Sequence, residues 1–116
     1  MAQPFAGKVW VVVDASNSSA TFEFAQIVQR EHLGTLIGSA TGGNQRGING
    51  GAFFFVRLPR TGLDADLPLI GQFPSRAALD AGLEPDLLVE TTALDIAAGR
   101  DPIRARLNSL WAGTPR

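Results

Sequence analysis

Three serines lie in the stretch of residues 14–21, Asp-Ala-Ser-Asn-Ser-Ser-Ala-Thr, between an apolar run at residues 9–13 and an amphipathic segment. This order predicts a strand that ends and a helix that begins, and the first N–H groups of a helix have no partner inside the helix. Open α/β sheets bind ligands at such strand ends. Ser19 is therefore our candidate nucleophile.

Helix capping is the alternative role for these residues. Asn and Ser are preferred at the N-cap position, where each contributes about 1 kcal/mol, so Asn17 or Ser18 is expected to cap the helix. A catalytic serine needs in addition a base for its proton and N–H donors for the oxyanion. The local sequence favours capping, and only the arrangement of the remaining motifs can favour the nucleophile.

No lysine or histidine in the sequence is placed to act as the base. The single histidine, His32, lies 13 residues beyond Ser19 on the same predicted helix, which is roughly 20 Å at 1.5 Å per residue. Its expected role is to interact with the dipole at the end of the helix. Lys8 lies at the opposite end of the preceding strand, which rises about 3.3 Å per residue.

The elements around the serine turn form a predicted βαβ unit. Residues 8–13 are expected to form a strand, and residues 9–13 are apolar without alternation, which predicts a central strand covered on both faces. A helix is expected over residues 19–33, followed by a short strand at 35–38, and this succession requires a parallel pair with a right-handed crossover. The expected apolar stripe of the helix is formed by Ala20, Phe24, Ile27 and Val28, and it ends at Glu31.

A glycine-rich loop at residues 39–47 follows the second strand and is expected to face Ser19 across the same sheet edge. It lacks the Gly-Lys-Ser/Thr ending of a phosphate-binding loop and follows the wrong strand for a dinucleotide site. A tight turn is one interpretation, and the wall of a binding cleft is another. Arg46 could contact a substrate carboxylate or be a solvated loop residue.

The second half of the chain adds shorter elements. The pattern predicts strands at residues 52–58, 67–73 and 87–90, with Pro68 indicating that the second of these is an edge strand. Helices are predicted at 75–81, from Thr92 or Ala93 to Ala98, and at 101–110, the last with Asp101 as N-cap and Pro102 at its first position. The fold class is therefore α/β.

Composition excludes several classes of function. The chain has 116 residues, 45% of them hydrophobic, which is enough for one core. A net charge of −1 provides no basic surface for nucleic acid. Without cysteine and with one histidine, a metal centre is not expected. The sequence has neither a membrane-spanning apolar run nor a signal peptide, and its compartment is not encoded.

Six segments in order resemble the carboxy-terminal-processing (tail-specific) serine peptidases, the family that includes the tricorn core peptidases and the repeats of the interphotoreceptor retinoid-binding protein. The segments are residues 7–13 (Gly-Lys-Val-Trp-Val-Val-Val), 17–25 (Asn-Ser-Ser-Ala-Thr-Phe-Glu-Phe-Ala), 36–43 (Leu-Ile-Gly-Ser-Ala-Thr-Gly-Gly), 57–59 (Arg-Leu-Pro), 82–89 (Gly-Leu-Glu-Pro-Asp-Leu-Leu-Val) and 95–101. The resemblance implies a ClpP/crotonase-like α/β fold and a serine peptidase that needs no cofactor.

The resemblance also assigns roles to individual residues. It implies that Ser19 is the nucleophile, that the backbone N–H of Ala20 is an oxyanion donor, and that Gly42, Gly43 and Asn44 line a cleft for a peptide or protein substrate.

The sequence departs from the family at two positions. Asn44 occupies the place where one branch has its lysine base. The family's glutamate after the nucleophile is replaced by Phe22, with Glu23 one residue later.

Members with a histidine base carry it upstream of the first strand seen here. We therefore expect residues 1–116 to be the C-terminal part of a peptidase catalytic domain, with the base supplied by an upstream segment. We further expect the isolated chain to self-associate through an exposed sheet edge. The alternative function is a non-catalytic module of the same fold that binds a peptide or an apolar ligand.

Overall fold

A computed structural model describes residues 5–113 of the chain. Eight elements follow one another: β1 (Trp10–Val13), α1 (Ser19–Arg30), β2 (Thr35–Gly38), β3 (Ile48–Arg57), β4 (Asp64–Gln72), β5 (Leu87–Leu88), α2 (Ala93–Ala97) and α3 (Pro102–Ala112). They form a three-stranded sheet, a separate two-stranded hairpin and three helices. Within residues 5–113, no helix has the length and hydrophobicity to cross a membrane.

The larger sheet is parallel and has the strand order β1-β2-β5. Trp10 pairs with Thr35 and Val13 with Gly38, which confirms the predicted parallel pair. The prediction that β1 is a central strand is wrong, because β2 lies in the centre and β1 is an edge of this sheet. Leu36 and Ile37 of β2 are completely buried, whereas Val12 of β1 is 50% exposed. An apolar run therefore indicates that both faces of a strand are hydrophobic. It does not show whether another strand is paired with each of its two edges.

The core lies between α1 and the parallel sheet. Phe22, Ala25 and Val28 of α1 are buried against Val13 and Leu36. The predicted stripe is therefore wrong in part, since Val28 belongs to the buried face while Phe24 and Ile27 are 57% and 44% exposed. The predicted stripe and the buried set of Phe22, Ala25 and Val28 both have helical spacing. The position of the sheet against the helix therefore decides which set is buried.

Helix α1 ends at Arg30, three residues earlier than predicted. His32 has a left-handed backbone with φ of 53°. The N–H of His32 donates to the carbonyl of Gln29 (3.3 Å), and the N–H of Leu33 donates to that of Val28 (3.0 Å). This is the hydrogen-bond pattern of a Schellman motif, with histidine at the position that glycine usually occupies.

Strands β3 and β4 form an antiparallel hairpin, and each of them is longer than the strand predicted at its place. A bulge separates Gly50 from Phe53, and Pro68 pairs with Phe53. The proline is tolerated because both strands of a two-stranded sheet are edges. At the far end, Arg57 donates two hydrogen bonds to the carboxylate of Asp64 (2.9 and 3.0 Å).

The predicted helix at residues 75–81 is wrong, because residues 73–86 contain no helix. Contacts with the glycine-rich loop hold this segment in an irregular conformation instead. The N–H of Thr41 donates to the carbonyl of Leu83 (3.0 Å), and the N–H of Leu83 donates to Oγ1 of Thr41 (2.9 Å). Arg46 Nη1 is paired with Asp80 at 2.9 Å. These long-range bonds outweigh the local preference for a helix.

Both terminal helices are capped, and the cap predicted for the second of them is confirmed. Thr92 and Asp95 form a capping box at the start of α2. Asp101 accepts a hydrogen bond from the N–H of Arg104 (2.8 Å), and Pro102 is at the first position of α3. The ring of Trp111 lies 6.2 Å from that of Trp10, which places α3 beside β1.

Candidate active site

The serine turn is held by its own polar side chains. The N–H of Asp14 donates to Oδ1 of Asn17 (2.8 Å), and the N–H of Ser16 donates to Oδ1 of Asp14 (2.8 Å). The Ser16 hydroxyl also donates to the Asp14 carboxylate, and this bond is the main cause that lowers the pKa of Asp14. Such side-chain to backbone bonds are typical of Asx turns. They use Asp14, Ser16 and Asn17, and they leave Ser18 and Ser19 outside the network.

Ser19 begins α1 with a left-handed backbone, φ 52°. This region costs an L-residue roughly 1–2 kcal/mol. Left-handed residues other than glycine concentrate at functional sites, where the surrounding structure maintains the strain. The conformation is a feature of Ser19 that its sequence context did not indicate.

The N-cap position is Ser18, as predicted, but its side chain makes no capping hydrogen bond. The N–H groups of Thr21 and Phe22 donate to the Ser18 carbonyl (3.2 and 3.4 Å). Within residues 5–113, the N–H of Ala20 has no acceptor. A donor beside the Ser19 hydroxyl therefore remains available at the positive end of the helix dipole.

The start of α1 opens onto a cavity of about 190 Å³. Its lining residues come from α1 and from the base of the hairpin: Ser19, Ala20, Glu23, Ile48, Gly50, Gly51 and Gln72. A Cβ atom at Gly50 would lie 4.0 Å from Oγ of Ser19, so the bare backbone of β3 passes close to the hydroxyl. Sequence analysis missed this contribution, although the Gly50-Gly51 pair inside a strand pattern was a usable signal of close backbone approach.

The glycine-rich loop faces the serine turn, as expected. The N–H groups of Gly42 and Gly43 both donate to the carbonyl of Asn17 at 3.1 Å. A Cβ at Gly42 would lie 2.0 Å from the Ala15 carbonyl oxygen, and one at Gly43 would lie 2.2 Å from the Phe22 ring. The structure thus places Gly42 and Gly43 behind the turn, in contact with its backbone, and neither lines the Ser19 cavity.

Asn44 lines a larger groove of about 480 Å³, which shares Glu23, Ile48 and Gln72 with the Ser19 cavity. Its side chain donates to Oδ1 of Asp80 (2.6 Å) and accepts from the N–H of Arg46 (2.8 Å). Arg46 also pairs with Asp80, and these bonds lower the pKa of the Asp80 carboxyl group. Five of the thirteen residues that line this groove have amide side chains: Gln26, Gln29, Asn44, Gln45 and Gln72.

Lys8 and His32 lie together at the opposite end of the sheet. Both line a separate cavity of about 500 Å³. Neither belongs to the lining of the Ser19 cavity, where Glu23 is the titratable residue. The described part of the chain contains no cluster of three or more side chains suited to a metal ion.

Comparisons with known proteins recover the same relationship. The model of peptidase family S41 matches residues 2–53, which contain β1, α1, β2 and the Ser19 turn. The tricorn protease structure is similar to 90% of this chain, with a TM-score of 0.63 and 23% identity. A candidate peptidase from Parabacteroides merdae is similar to 91% of it, with a TM-score of 0.57 and 26% identity. A search of curated protein sequences found no match.

The likeness covers only part of those proteins. This chain spans 10% of the tricorn protease chain and 32% of the Parabacteroides merdae chain. The part of each structure that resembles this chain has, like the chain, a mixed fold of helices and strands. Over residues 2–53 this chain is similar to peptidase family S41, and its fold is similar to a part of these two solved structures.

Proposed function

We propose that this chain carries the nucleophile of a serine peptidase and that Ser19 is that residue. The observation that carries the proposal is the position of Ser19, which begins α1, has a left-handed backbone and borders an open cavity. The same residue lies within the segment that matches peptidase family S41. The N–H of the next residue, Ala20, which has no acceptor among residues 5–113, supports the assignment.

The proposed reaction is acyl transfer. The Ser19 Oγ attacks the scissile carbonyl carbon while its proton passes to a general base, and the carbonyl oxygen becomes an oxyanion near the Ala20 N–H. The C–N bond then breaks, and the base returns the proton to the leaving amine. Water hydrolyses the resulting ester by the same route and regenerates the hydroxyl.

We propose that the base is a histidine supplied by an upstream part of the same catalytic domain. Lys8 and His32 line a different cavity from Ser19. The Asp14 carboxylate, although close in sequence, accepts hydrogen bonds from Ser16 and has a lowered pKa, which makes it a weaker proton acceptor. The second oxyanion donor would come from the same upstream segment.

The substrate in this proposal is a peptide or an unfolded protein. Backbone groups of Gly50 and Gly51 beside Ser19 and the amide-lined groove that includes Asn44 fit an extended polypeptide. Gly42 and Gly43 would contribute indirectly, because their contacts with Asn17 and Phe22 support the wall of the cleft. The order of the six motifs further supports a ClpP/crotonase-like fold and a tail-specific branch of the family.

Labelling with a serine-directed phosphonate tests the assignment in the longest natural protein that includes this sequence. The expected result is one labelled site, which Ser19→Ala removes. Ser18→Ala is the matched control, because the Ser18 side chain makes no capping hydrogen bond. Labelling that persists in Ser19→Ala, or that is lost equally in both variants, would overturn the proposal.

A non-catalytic module that binds a peptide or an apolar ligand is the alternative function. The peptidase match favours the enzyme over this alternative. Binding of an unlabelled peptide by a natural protein that the phosphonate never modifies would favour the module.

A further inference from the structure

One face of the β3–β4 hairpin is apolar from the turn as far as Leu69. Alternation along the two strands places Phe54 opposite Leu67 and Val56 opposite Ala65, and the ladder continues with the N–H of Leu58, which donates to the Leu63 carbonyl (2.9 Å). We call this set the apolar hairpin face: Phe54, Val56, Leu58, Leu63, Ala65, Leu67 and Leu69. A clean alternation of this kind is typical of a sheet that buries one face.

Charged residues of the hairpin lie on the other face. There, Arg57 is paired with Asp64, and Asp66 lies opposite Phe55, whose ring stacks on Phe53 at 6.4 Å. The apolar hairpin face therefore contains no charged side chain. Recognition of this face by a partner therefore cannot depend on charge complementarity.

The apolar hairpin face is nevertheless exposed. Phe54 is 59% exposed, Leu67 48% and Leu69 65%. The hairpin contacts the core at its base, where Ile48 packs against the buried cluster. The radius of gyration is 18.7 Å, compared with about 13 Å for a compact domain of this length. A two-stranded hairpin without further cover is marginally stable in water.

The area of this face fits self-association. Its exposed side chains present roughly 600 Å² per chain, taking on the order of 200 Å² for a fully exposed large side chain. Two such faces would bury about 1,200 Å² in total, the lower end of the range for stable specific interfaces.

We propose that a second copy of this chain covers the apolar hairpin face. The two hairpins would pack face to face as a four-stranded sandwich with sheets about 10 Å apart, each copy using the same residues in a two-fold symmetric contact. This contact differs from pairing through the open edge of β1, and it is independent of the proposed peptidase activity.

Sedimentation equilibrium of the 116-residue chain from about 1 μM to about 1 mM tests the proposal. We expect a monomer–dimer equilibrium that Leu69→Lys weakens at least about tenfold, because the substitution places a charge within an apolar contact. The matched control is Phe55→Lys. Phe55 is 69% exposed, lies on the same hairpin and faces the side that carries Asp64 and Asp66.

Circular dichroism of both variants checks that they fold as the wild type does. The proposal is supported if only Leu69→Lys weakens the dimer. It is overturned if the wild-type chain remains monomeric throughout, if both variants weaken the dimer equally, or if Leu69→Lys leaves association unchanged, as pairing through β1 would.

Discussion

At the scale of single residues, the serine turn depends on the absence of side chains at Gly42 and Gly43. Gly42 and Gly43 bring the loop after β2 so close to residues 14–22 that a methyl group at either position would overlap Ala15 or Phe22. Their N–H groups also donate to the Asn17 carbonyl. The left-handed backbone of Ser19 is thus held from behind by a packed loop, which is how a strained residue is maintained.

The first prediction is that Gly42→Ala destabilises the fold by about 1–3 kcal/mol, the usual cost of overpacking. The added Cβ would lie 2.0 Å from the Ala15 carbonyl oxygen, a backbone atom that cannot rotate away. Urea unfolding followed by circular dichroism measures the change. Gly113→Ala is the control, because its nearest contact is 3.6 Å and ordinary. Equal stability of the two variants would contradict the packing argument.

At the scale of elements, Asp86 joins three of them. Its Oδ2 accepts from the N–H of Leu36 in β2 (2.7 Å), and its Oδ1 accepts from the side chain of Gln29 in α1 (3.1 Å), immediately before β5 begins. Sequence analysis included Asp86 in a family motif but assigned it no role. In the structure, its carboxylate is the hydrogen-bond acceptor for the Leu36 N–H of β2.

The second prediction is that Asp86→Ala lowers the free energy of unfolding by about 1–3 kcal/mol, because the N–H of the fully buried Leu36 loses its acceptor. The Glu84→Ala variant should be near neutral. Its backbone carbonyl still accepts from Gln29, and its side chain makes no hydrogen bond within residues 5–113. Chemical denaturation of both variants provides the comparison, and an equally small effect of Asp86→Ala would refute the role.

The third prediction concerns the capping box of α2 and its dependence on pH. Hydrogen bonds from the Thr92 side chain and backbone, and then from Arg100, lower the pKa of Asp95. A lowered pKa in the folded state means that this carboxylate stabilises the fold above the ordinary aspartate pKa. The stabilisation is lost as the pH falls through the lowered value.

An NMR titration of the Asp95 side-chain carboxyl carbon should therefore have its midpoint below the ordinary value, and Thr92→Val should raise that midpoint. A Thr92→Val midpoint equal to that of the wild type would show that the capping box is not the cause.

At the scale of the whole molecule, the proposed mechanism takes its base and its second oxyanion donor from an upstream segment. The fourth prediction is that the isolated 116 residues do not cleave an unstructured protein substrate. Loss of the base from a serine triad costs on the order of 10⁴ to 10⁶ in turnover. The missing oxyanion donor adds a further loss that is not additive with the first.

Incubation of the purified chain with such a substrate, beside its Ser19→Ala variant, measures any serine-dependent cleavage. The expected difference between the two is zero. If a difference were found, Glu23 would be the first base to examine, since it lines the cavity of Ser19, whereas the Asp14 carboxylate is hydrogen-bonded to Ser16.

Local patterns were sufficient to predict much of the fold. The parallel β1–α1–β2 unit, the hairpin strands and the two terminal helices were predicted because strand runs, caps and turns depend on residues that are neighbours in the chain. Asp101 and Pro102 begin a helix wherever it packs. The position of Ser19 at the start of α1 follows from the same local information.

Tertiary contacts decided the rest. Whether Phe22 or Phe24 is buried depends on where the sheet and the glycine-rich loop lie, and the irregular segment at residues 73–86 follows its bonds to Thr41 and Gln45 rather than its helical preference. The Gly50 backbone approaches Ser19 only because a hairpin 31 residues along the chain folds back over α1. Burial and cavity lining depend on contacts between segments that are distant in the sequence. The free energy of these contacts cannot be inferred from the residues of one short segment.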